Sequence, residues 1–136
     1  MASDPRRDEY LDASTNARQF NTLRFAELTI FMTATGVMIA ATFSRAAAPT
    51  IPEAAVAIKI AGILLTVVFF VLDRRTMIYW RHFVRRAAEL ESELGFRQYS
   101  TRPDEGWLPG SRAVQLLFVS VALFWAAAIF WVPTPA

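Results

Sequence analysis

Cysteine is absent from this 136-residue chain, and histidine and lysine occur once each, as His82 and Lys59. Without a thiol there is no disulfide scaffold, thiolate zinc site, iron–sulfur cluster or cysteine nucleophile. One imidazole excludes multi-histidine metal cages and any haem that needs two histidine ligands. Charge is also scarce: 19% of residues are charged, against about 25% in soluble domains. No GxSxG, phosphate-binding loop or HExxH is present, and no paired carboxylates lie within an apolar stretch. The expectation is a protein without metal, cofactor or catalytic site, and the length allows a single domain.

What is abundant is apolar surface. Hydrophobic residues make up 54% of the chain and the mean hydropathy is +0.31. Three stretches carry almost no charge: residues 28–44, residues 54–72 with only Lys59, and residues 113–132. A membrane-spanning helix needs about 20 mostly apolar residues, with about 17 as the lower limit. All three qualify, and so short a chain has too little polar surface to cover them as a soluble core. The first stretch does not read as a signal peptide, because 27 residues with nine charges precede it.

Arginine placement sets the expected orientation. Four arginines precede the first span and eight lie between the second and third, whereas the link between the first two holds only Arg45. By the positive-inside rule the N-terminus and central segment are cytoplasmic, in a bacterial inner membrane, and the C-terminus is periplasmic. Lys59, inside span two, is expected to snorkel to the outer headgroups. Trp107 reads as an interfacial anchor before span three.

Helix punctuation predicts long, continuous helices. Asp4 can cap and Pro5 can start a helix over 5–44 that includes span one. From Pro52 to Gly95 only Gly62 interrupts, so residues 52–95 read as span two with its extension, about 65 Å long. A loop over 96–111 then leads to span three at 112–132. Beyond the spans, Tyr10, Ala13, Ala17, Phe20 and Arg24 recur at steps of three and four. So do Thr76, Trp80, Phe83, Ala87, Leu90 and Leu94. Such narrow stripes match a coiled-coil seam, so the fold class is an all-α, three-span membrane protein with a cytoplasmic antiparallel helical hairpin. The stripes could alternatively lie on the membrane surface, with Trp80 and Phe83 in the headgroups.

Two features invite a functional reading. At the mouths of spans one and two, Glu27 can pair with Arg74 or Arg75, and Asp73 with Arg24. These pairs would either fix the register of two helices or form a charged ring at the mouth of an oligomeric pore. In span one, Thr29, Thr33, Gly36 and Ala40 make a small, hydroxylated strip. It serves either close helix packing, as in Gly36-x-x-x-Ala40, or a narrow hydrated path at the axis of a homo-oligomer. Glu89, Glu91 and Glu93 read as a solvated ion-pair face, for example Arg85 to Glu89 at i,i+4. His82 sits neutral in a basic collar. The arginines from Arg74 to Arg86 fall where anionic lipid headgroups would meet them, and nothing indicates nucleic acid.

The sequence YLDASTNARQF before span one, with FFVLDRRTMIYWRHFVRRAAELESELG closing span two, resembles the SLATT-type small bacterial membrane proteins. The matching residues are Leu72, Asp73, Arg75, Leu90 and Glu91, and the resemblance covers about residues 10–95. Span three lies beyond the two-span core of that family. The resemblance implies an effector, associated with nucleotide second messengers and antiphage defence, that perforates or depolarises the membrane when a cytoplasmic signalling partner triggers it. The residues themselves leave two readings: an oligomeric channel-like effector, or a non-catalytic accessory or scaffold subunit docked on a larger inner-membrane complex.

Overall fold

A computed structural model describes residues 4–43, 52–101 and 109–131. It contains three α-helices and, among the described residues, no strand: α1 (Pro5–Phe43), α2 (Pro52–Leu94) and α3 (Gly110–Trp131). All three are long and apolar enough to cross a membrane. The chain divides into two compact units, Met1–Ala26 with Asp73–Gly106 and Glu27–Leu72 with Trp107–Ala136.

The helix ends follow from local chemistry. Asp4 Oδ1 accepts the Arg6 amide at 3.1 Å, which satisfies one of the free donors of the first turn, and Pro5 needs no donor partner there. α2 stops where Gly95 takes φ +75°, a left-handed position that suits glycine. α3 begins two residues before the expected 112, because the Pro109 carbonyl already accepts the Arg112 and Ala113 amides at 2.8 and 3.2 Å. The expected turn around Pro49, Trp107 and the end of the third span at 132 lie outside the described residues.

In the first unit, the core joins small side chains to a few large ones: Tyr10, Ala13, Ala87 and Leu90, with Leu94 and Tyr99 packed against it. Phe20 stacks on Tyr79 and Phe83, each at 5.6 Å between ring centres. The pairs run in opposite chain directions: Arg6 meets Glu93, Glu9 meets Arg86, and Arg24 meets Asp73, each at 2.7 Å.

The second unit is built on aromatic side chains. Phe31 is fully buried, 5.5 Å from Phe69 and 4.8 Å from Phe118. Trp125 is fully buried as well, and its indole lies where a Cβ on Gly62 would stand, 2.5 Å from the nearest ring atoms. Glycine is therefore required at 62 by the approach of the ring. Most large apolar side chains face outward, among them Ile30, Val37, Leu64, Val68, Leu123 and Phe130. Only 11, 22 and 17% of the apolar windows of α1, α2 and α3 are buried within the chain. In this unit the buried positions are taken by small, aromatic and polar residues, while many aliphatic side chains face outward.

Candidate functional site: a buried carboxylate and an outward small-residue face

Ala87, Glu91 and Leu94 are separated by four and three residues, so Glu91 falls on the inner face of α2. Its side chain is fully buried. Gly95 reverses the chain, and the segment 96–101 returns over the carboxylate. The Tyr99 amide donates to Oε1 and Oε2 at 2.8 and 3.0 Å, the Ser100 amide to Oε2 at 2.8 Å, and the Tyr10 hydroxyl to Oε1 at 3.1 Å. Phe96 and Tyr99 place their rings 5.3 and 6.5 Å from that of Tyr10. Burial pushes the Glu91 carboxyl up, but the Tyr99 and Ser100 amides and the Tyr10 hydroxyl outweigh it and hold the group below its ordinary value. Burial likewise pushes the Tyr10 phenol up, and its hydrogen bond to Glu91 adds to the effect. The carboxylate stays ionised and acts as an anchor.

This corrects the reading of three glutamates as one solvated face. Glu89 pairs with Arg86 at 3.2 Å rather than with Arg85, Glu93 reaches Arg6 on α1, and Glu91 is enclosed. The Glu9 and Glu89 carboxylates both raise Arg86 above its ordinary value.

At the other end of the first unit, Arg24 Nε donates to Asp73 Oδ1 at 2.7 Å. Asp73 is 2% exposed, and Arg24 Nη2 is buried with no hydrogen-bond partner. Glu27 is half-buried and belongs to the second unit, whereas Arg74 and Arg75 are exposed residues of the first. His82 is exposed, its ring edge-on to Phe83 at 5.4 Å.

Thr29, Thr33, Gly36 and Ala40 are all exposed, on the face of α1 turned away from buried Phe31 and Thr35. A Cβ on Gly36 would meet nothing within 4 Å. The Thr33 hydroxyl donates to the Thr29 carbonyl at 2.9 Å, so its donor is satisfied within the helix and its lone pairs face outward. The same spacing runs back through Ala26, Thr22 and Thr15. There Thr15, Arg18, Gln19, Thr22, Leu23 and Ala26 form an open, exposed face of the same helix. The apolar stripe of this part of α1, from Tyr10 to Phe20, gives no signal for this polar face.

Lys59 is 2% exposed rather than extended to the outer headgroups. Ala55, Lys59, Gly62 and Thr66 share one buried face of α2, so its stem runs inward among its neighbours. Beside it, the Thr66 hydroxyl donates to the Gly62 carbonyl at 2.8 Å. The Trp125 indole N–H and the Thr35 hydroxyl are buried without a hydrogen-bond partner.

Comparison with protein-family models, curated proteins and solved structures finds no match. The functional reading therefore rests on the residues and their arrangement.

Proposed function

We propose that this chain is a non-catalytic, channel-like membrane effector that works as a homo-oligomer in a bacterial inner membrane. Its N-terminus and first unit are cytoplasmic and its C-terminus is periplasmic. The observation that carries this reading is the outward face of α1. Gly36 and Ala40 are small enough for a second helix to approach closely, Thr29 and Thr33 lie on the same face, and none of the four is buried by the chain itself. Three span-length helices with their large apolar side chains turned outward support a lipid surround. In this reading the α1 faces meet at the axis of the oligomer, and the Thr33 hydroxyl lines a narrow path. The first unit is a helical hairpin that receives the trigger, with the segment 96–101 pinned by Glu91. The SLATT resemblance agrees with such an effector.

A second reading, an accessory subunit of a larger membrane complex, is favoured by the exposed face of α1 from Thr15 to Ala26. Its Arg18 would meet another Arg18 in a parallel self-contact, and such like charges repel.

Absence of native cysteine makes a clean test. Single cysteines placed at Thr33 or Gly36 should cross-link into dimers in membranes under mild oxidation, while one at buried Phe31 should not. Cross-linking at none of the four outward positions, with the protein recovered in the membrane, contradicts self-association through this face.

A further inference from the structure

The outward side of α2 changes character at one point. Val67 and Val71 are exposed, and steps of four and three lead from them along the same face to Arg74 and then to Ile78, Arg81 and Arg85, with exposed Arg75, four residues past Val71, at the edge of that face. No acidic residue occurs from Arg74 to Ala88. The nearby carboxylates are engaged elsewhere: Asp73 holds Arg24, and Glu9 and Glu89 hold Arg86. No ion pair engages Arg75, Arg81 or Arg85 among the described residues, and all three are exposed. Ile78, at 68% exposure, is the apolar member of an otherwise basic stripe.

We propose that this stripe is a docking surface for the anionic headgroups of the leaflet that flanks span two; the proposal rests on the reading of α2 as membrane-spanning. Three arguments choose lipid. The face is apolar through Val71 and basic from Arg74, so the change of character falls at the end of the apolar stretch. Guanidinium groups match phosphate oxygens bidentately. Ile78 supplies an apolar contact among the arginines, as an interfacial helix face does. A headgroup layer is about 5–8 Å deep beyond the hydrocarbon. Along a helix, Arg81 lies about 10 Å and Arg85 about 16 Å past Arg74. The contribution of each arginine therefore declines along the stripe, with Arg75 strongest, Arg81 weaker and Arg85 weakest. One basic residue at an anionic surface changes binding by about fivefold.

The test titrates detergent-solubilised full-length protein with short-chain phosphatidylglycerol and, separately, short-chain phosphatidylcholine, with tryptophan fluorescence as the readout. Phosphatidylglycerol should bind more tightly than phosphatidylcholine. Arg75→Gln should weaken it about fivefold, Arg81→Gln less, and Arg85→Gln or the off-stripe control Arg97→Gln by little. Equal affinity for the two lipids, or no effect of Arg75→Gln, overturns the proposal. So does tighter binding of polyglutamate that Arg75→Gln and Arg85→Gln weaken alike, because that pattern marks a soluble polyanion. Alkaline carbonate extraction separates this from the membrane reading. Lost lipid selectivity in protein that resists extraction overturns the stripe alone, whereas release by carbonate overturns the spans.

Discussion

The Tyr10 hydroxyl donates to Glu91 at 3.1 Å and joins the start of α1 to the end of α2, 81 residues away in sequence. Both groups are buried, and the Tyr99 and Ser100 amides complete the acceptor capacity of the carboxylate. One side chain thus organises three segments of the first unit.

Glu91→Ala should loosen that unit. It leaves two amides and a hydroxyl facing a void, and an unsatisfied buried donor is worth about 1–3 kcal/mol. The expected result is a lower unfolding temperature and faster tryptic cleavage after Arg97, which lies within the pinned segment. Unchanged cleavage would mean that the amides find other acceptors.

The same node sets a pH dependence. Glu91 is held below its ordinary value in the folded protein, so its stabilisation is present above the unfolded carboxyl range and lost as pH falls through the lower folded value. Tyr10 is raised, so its contribution is present below the unfolded phenol value, 10.0, and lost as pH rises past that value. Thermal stability should be flat between these limits, with Glu91→Gln removing the acid limb and Tyr10→Phe the alkaline one. A titration near neutral pH that depends on Glu91 would contradict this.

The Arg24–Asp73 pair should behave as a unit. Asp73→Leu alone leaves a largely buried guanidinium without its partner, a loss of about 3 kcal/mol. Replacing Arg24 with Leu as well should recover much of it, and additive losses in the double-mutant cycle would argue against coupling.

Gly62→Ala should destabilise the second unit by about 1–3 kcal/mol, the range for overpacking, because the new Cβ would stand 2.5 Å from the Trp125 ring. Trp125→Phe should relieve part of the loss. Equal losses with and without Trp125 would show that the ring is not the obstacle.

Much of this architecture was legible in the sequence. Asp4, Pro5, Pro52 and Gly95 mark helix ends through local chemistry, and they bound α1 and α2 as observed. The pairing of Arg24 with Asp73 is legible because an acid at the edge of an apolar run needs a counter-charge. Glu91 is hidden in the sequence because three glutamates at alternate positions suggest a solvated face. Its spacing from Ala87 and Leu94 placed it on the apolar stripe, a signal that was available. Its acceptor role was not legible, since it depends on a loop that returns only after the Gly95 reversal. For Lys59 the conflict runs the other way: its chain reach suggests the headgroups, while helical phase puts it inside.

The central claim is that outward α1 faces meet and line a conducting path. It is tested most directly by measuring ion flux and oligomer size together, on wild type and Thr33→Leu reconstituted in liposomes. Wild type should form a ring of several copies and conduct. Thr33→Leu should assemble to the same size and pass no ions, because a bulky apolar side chain narrows and dewets the path. Wild-type protein that forms no ring and passes no ions, or a Thr33→Leu ring that conducts as well as wild type, would contradict it.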